Sequence, residues 1–109
     1  MSRRDEDRLA DILESIDRIR GYRGRGADAA VFDAILYRLL VLGEAAGSLS
    51  DETIAAAPEI EWRAIVALRN RLAHTYWRIS LPLIDEILEA DIDPLERAVR
   101  RLLGESSNE

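Results

Sequence analysis

The sequence predicts an all-α bundle of four or five helices. Three observations lead there. Apolar residues recur every three or four positions through most of the chain, no run alternates apolar and polar residues with period two, and glycine and proline gather at a few points of interruption. At 109 residues the chain has the length of one ordinary domain. A single helical domain over 1–109 is therefore expected, with a frayed polar tail from about 104 to 109.

The elements follow in order. Leu9, Ile12, Leu13, Ile16 and Ile19 form one apolar stripe on a first helix, with charges opposite. Three glycines in the stretch from Gly21 to Gly26 should end it. A second helix is expected from about Asp28 to Leu49. Its stretch Ile35, Leu36, Leu39, Leu40, Val41 and Leu42, followed by Ala45 and Ala46, is apolar on most sides, so neighbours should cover it from more than one direction. Ser50-Asp-Glu-Thr53 has the pattern of a helix N-cap and acidic first turn, opening a short helix that stops before Pro58. A third long helix should start at Glu61 or Trp62 and run through about Trp77. Ser80-Leu-Pro82 resembles a cap with proline in the first turn. The last helix, carrying Leu83, Ile84, Ile87 and Leu88, should break or kink near Asp93-Pro94 and resume with Leu95, Val99, Leu102 and Leu103.

Composition excludes several chemistries. The chain has no cysteine and one histidine, His74, which removes disulfides, thiolate metal sites and cysteine nucleophiles. No metal site or cofactor is expected. No uncharged stretch exceeds six residues, so no segment should span a membrane. The start, Met1-Ser-Arg-Arg-Asp-Glu-Asp, has no apolar core behind its basic residues, so no signal peptide is expected and a cytoplasmic location is.

Charge is unevenly spread. The formal net charge of −6 argues against general nucleic-acid binding. Residues 62–80, however, carry Arg63, Arg69, Arg71 and Arg78 with no acid, a local +4, and also hold His74. On a helical wheel with Ile65 at zero, Leu72 falls near 340°, Leu68 near 300° and Tyr76 near 20°, a core-facing stripe. Val66, Ala73 and Trp77 fall at about 80–120°, with Asn70 near 140° and His74 near 180° at the border of this second stripe. Arg71 falls near 240°. Two apolar stripes suggest the chain's own bundle on one side and a second subunit on the other. Two-fold symmetry would then place two His74 residues and their arginines in one cleft.

Such a cluster suits RNA phosphodiester cleavage. A histidine can take a proton from the ribose 2′-OH or return one to the leaving oxygen. A fixed guanidinium neutralises the charge growing on the phosphate. The plainer reading of each residue stands beside this: a solvated histidine, a solvated arginine face, Trp62 and Trp77 as packing anchors, and Tyr76 as a structural tyrosine.

Arg69-Asn-Arg-Leu-Ala-His74-Thr-Tyr76 resembles the Arg, four to six residues, His, any residue, Tyr motif of the HEPN superfamily, and particularly its HepT-like toxin branch. Leu42-Gly-Glu-Ala-Ala46, Leu49-Ser50, Pro58, Ile60 and Trp62 resemble that family's landmarks in the same order. The resemblance implies a HEPN-type up-and-down bundle and a homodimer. It implies the toxin of a type VII-like toxin–antitoxin system, a metal-independent endoribonuclease with a composite site at the dimer interface. By position, Arg69 and His74 would be the catalytic pair and Asn70 the polar residue that helps orient them. Tyr76 would receive AMP from a partner minimal nucleotidyltransferase antitoxin, its added bulk and charge blocking substrate. Glu44 matches the Gly-Glu landmark and would support the site; the helical wheel adds Arg71 as a phosphate contact. One departure is Ser80, where many relatives carry an acid, which puts modification of Tyr76 in question and leaves the catalytic pair intact. The alternative is a non-catalytic HEPN module that binds nucleotide or pairs with a nucleotidyltransferase.

Overall fold

A computed structural model describes residues 1–26, 28–75 and 78–104. The order is α1 (Arg3–Arg23), α2 (Ala29–Gly47), α3 (Asp51–Ala55), α4 (Trp62–Thr75), α5 (Leu81–Ala90) and α6 (Ile92–Leu102). Among the described residues there is no strand, and the all-α expectation holds. The expected last helix is two separate elements, which brings the number of helices in the described residues to six.

Polar side chains set the helix starts. Ser2 accepts a hydrogen bond from Asp5 N at 3.1 Å, Asp28 from Val31 N at 2.9 Å, Ser50 from Thr53 N at 3.3 Å and Ser80 from Leu83 N at 3.3 Å. Helix α1 runs through Gly21 and ends only at Gly24. Asp91 closes α5, its N–H reaching Ile87 O at 2.9 Å, and Pro94 lies in the first turn of α6, where its missing N–H costs nothing. The proline thus opens a helix rather than kinking one. The tail expectation falls on residues 105–109, which lie outside the described residues.

The α1 stripe of Leu9, Ile12, Ile16 and Ile19 is fully enclosed, as are Ile84 and Val99 from the last two helices. Helix α2 packs along α1 on one flank and α4 on the other, which accounts for its wide apolar surface. Trp62 anchors the start of α4; it is buried, and its indole N–H donates to Ala57 O at 3.0 Å.

Ion pairs fasten the layers. Arg20 on α1 holds Asp93 and Glu96 on α6, Arg23 holds Glu89 on α5 at 2.8 Å, and Arg101 holds Glu59 before α4. The hydrogen bond from Arg20 keeps the Glu96 carboxyl below its ordinary pKa. Asp5 is a buried charged residue of α1. It accepts Ser50 N at 3.1 Å, Ser50 Oγ at 2.5 Å and Thr53 Oγ1 at 2.7 Å. One carboxylate therefore ties α1 to the start of α3. The Ser50 hydroxyl first, then Thr53, lowers its pKa against the opposing effect of burial.

Candidate active site

Helix α4 contains neither glycine nor proline, and Ala, Leu and Arg make up eight of its fourteen residues, so it presents its side chains at regular angles. Its approach to α2 is unusually close at Gly43. A Cβ built there would lie 2.9 Å from Arg69 Cγ and 3.4 Å from Ile65 O, and closer still to Arg69 Cβ. One turn on, a Cβ at Gly47 would lie 3.5 Å from Val66 Cγ2. Gly43 leaves a gap on α2 that the stem of Arg69 fills, and Val66 packs beside Gly47.

That seat fixes the guanidinium. Arg69 is half-buried, with its stem under α2 and its head at the rim. Its Nη1 donates to Asn70 Oδ1 at 3.1 Å, its Nη2 pairs with Glu44, and its buried Nε meets no hydrogen-bond partner. Asn70 and Glu44 therefore hold the head from two sides. The group opens on a cleft of about 380 Å³ floored by Leu40, Val41 and Ala45 of α2 and by Ser48, which caps that helix. Arg8 and Asp11 of α1, paired at 2.9 Å, line its far wall.

The sequence-predicted residues thus divide. The structure brings Arg69, Asn70 and Glu44 together. His74 and Arg71 are exposed, and no hydrogen bond or ion pair among the described residues joins either to Arg69. Five residues along a helix turn through about 140°, so Arg69 faces the α2 cleft while His74 points away from it. Tyr76 and Trp77 lie outside the described residues, and so does the modification expected at Tyr76. Of the second stripe, Val66 is half-buried and stands over Gly47 of the same chain, and Ala73 is exposed.

Sequence reasoning gave no individual role to Gly43 or Arg63. Gly43 carried a usable signal, since it and Gly47 stand four apart on a helix otherwise rich in large apolar residues. Arg63 lies eleven residues before His74, which puts it within about 20° of that side chain on the wheel. It is exposed. A more apolar cleft of about 330 Å³ on the other flank of α4, lined by Ala64, Ile65, Leu68 and Ile87, holds no member of the motif. Among the described residues no three His, Asp or Glu side chains gather as a metal would require. No helix of the described residues is long and apolar enough to cross a membrane.

Comparison with known proteins adds the rest. A family model described as Ribonuclease HepT-like matches residues 11–102. A Methanocaldococcus jannaschii protein named "Putative RNase MJ0127" is 30% identical over 110 residues, covering 92% of this chain and 91% of its own. A Thermococcus cleftensis protein named "Probable ribonuclease HepT" is 26% identical over 108 residues, covering 94% of this chain and 98% of its own. No solved structure gives a significant match.

Proposed function

The chain belongs to the Ribonuclease HepT-like family, and from that premise we propose that it is a metal-independent endoribonuclease whose site is shared between two protomers. The observation that carries the reading is the seat of Arg69: an arginine immobilised by Gly43, Glu44 and Asn70, on the same helix as the only histidine but turned away from it. A two-fold partner across α4 supplies what one chain lacks, setting the partner subunit's His74 against this cleft.

In that cleft a neutral His74 takes the proton of the ribose 2′-OH. The 2′ oxygen forms a bond to the adjacent phosphorus, the P–O5′ bond breaks, and the leaving oxygen receives the proton that the histidine took up. Arg69 meets the charge that grows on the non-bridging oxygens, and being held in advance it does not reorganise to do so. The products are a 2′,3′-cyclic phosphate end and a free 5′-hydroxyl. The local +4 of residues 62–80 attracts the backbone that the acidic remainder would repel.

The same reading makes this chain the toxin of a type VII-like pair, acting in the cytoplasm as a homodimer and silenced by a minimal nucleotidyltransferase antitoxin that transfers AMP to Tyr76. Arg71, exposed on the same helix as Arg69, contacts phosphate in this reading. A second reading draws on the Arg69–Glu44 pair, which already neutralises the catalytic cation: a module that binds nucleotide without cutting RNA.

Purified protein should cleave RNA in EDTA and leave cyclic phosphate ends. Arg69→Ala or His74→Ala should abolish cleavage without altering the helical circular dichroism. Binding of RNA without cleavage would favour the second reading. Mass spectrometry of the chain co-expressed with a nucleotidyltransferase should find AMP on Tyr76; a tight but unmodified complex would mean neutralisation by cover alone.

A further inference from the structure

The outer face of α4 carries cations that enter no ion pair among the described residues. Arg20, Arg23 and Arg101 are neutralised by carboxylates of neighbouring helices. Arg63 and Arg71 are exposed and, among the described residues, enter no ion pair. Arg63, Asn70 and His74 fall within an arc of about 40° on α4, spaced seven and four residues apart. Glu61, the nearest acid in sequence, lines the apolar cleft on the opposite flank. A stripe of one cation, one amide and one imidazole therefore runs the length of the helix, ending at the proposed proton-transfer group.

We infer that Arg63 is a phosphate anchor for single-stranded RNA, holding the backbone at the far end of α4 from His74. This rests on the ribonuclease reading for the identity of the ligand. Eleven residues of helix span about 16 Å. A stacked strand rises about 3.4 Å per nucleotide, so the anchor sits about five nucleotides from the bond that His74 acts on. The consequence is a preference for substrates long enough to reach it. Arg63 does not touch the reacting atoms; it binds, and its loss is read in KM rather than kcat.

The test compares wild type, Arg63→Gln and Arg97→Gln, the last an exposed arginine on α6 that controls for net charge. On an octanucleotide substrate, Arg63→Gln should raise KM by about three- to tenfold with kcat unchanged, and on a dinucleotide it should change neither. Binding of a non-cleavable 2′-O-methyl octanucleotide should lose about 0.7 from its log–log salt slope, the share of one phosphate contact on a single strand. Arg63→Lys should restore part of both effects, since an ammonium still pairs with phosphate. Unchanged KM and salt slope in Arg63→Gln, or an equal loss in Arg97→Gln, would overturn the anchor and leave the ribonuclease reading standing. An Arg63-dependent salt slope in a protein that cuts nothing would do the reverse. Wild type that binds no oligonucleotide at all would overturn both.

Discussion

The backbone of Gly43 is the floor on which Arg69 rests: an added Cβ at residue 43 would stand 2.9 Å from Arg69 Cγ, inside the space the arginine stem occupies. The contact links the packing of α2 on α4 to the direction in which the guanidinium points. A single glycine thus serves both the fold and the proposed chemistry.

Gly43→Ala separates the two effects that a helical glycine combines. In a free helix alanine would gain about 1 kcal/mol over glycine. Here the methyl meets Arg69 and Ile65 O, and overpacking of this kind costs about 1–3 kcal/mol. Net destabilisation is expected, read as a lower denaturation midpoint, together with reduced RNA cleavage. A more stable and fully active variant would show that α2 and α4 separate without penalty.

Glu44→Gln tests positioning rather than stability. The Arg69–Glu44 pair is partly solvated, so its loss should change stability by less than about 1 kcal/mol. The guanidinium then relies on Asn70 alone. Cleavage should fall by about tenfold or more at unchanged thermal stability. A rise in activity would instead mean that Glu44 competes with substrate phosphate for Arg69.

Asp5→Asn probes the junction of α1 and α3. Hydrogen bonds from Ser50 and Thr53 hold the Asp5 pKa below its ordinary value. A group depressed in the folded state stabilises fully above its unfolded pKa, about 4, and loses that contribution as pH falls through the folded pKa. The melting temperature of Asp5→Asn should therefore lie below that of wild type by a constant margin near neutrality, a margin that shrinks in strong acid. A margin that persists unchanged to pH 2 would assign the effect to shape rather than charge.

Much of this was legible in the residues. Ser50 and Ser80 announced two helix starts, and the α1 stripe was readable from spacing alone, because caps and amphipathic periods are local properties of sequence. The octapeptide from Arg69 to Tyr76 pointed to the helix that carries the seated Arg69. What stayed hidden depends on contacts distant in the chain. The contact of Val66 with Gly47 was not readable, because nothing in its own helix shows that Gly47 lies over it. Glu44 could be matched to a landmark, but its grip on Arg69 follows only from the depth at which Gly43 lets α4 sit. The α5–α6 break fell at Asp91 rather than Pro94, since proline in a first turn satisfies a helix instead of ending it.

The most direct test of a shared Arg69/His74 site is RNA cleavage in EDTA by three purified dimers: wild type, the Arg69→Ala/His74→Ala double variant, and a mixed dimer with one chain of each. A composite cleft needs both chains, so the mixed dimer should be as inactive as the double variant while wild type cuts. A mixed dimer retaining about half the wild-type activity would mean that each chain carries a complete site of its own, and wild type that leaves RNA intact would contradict the ribonuclease reading itself.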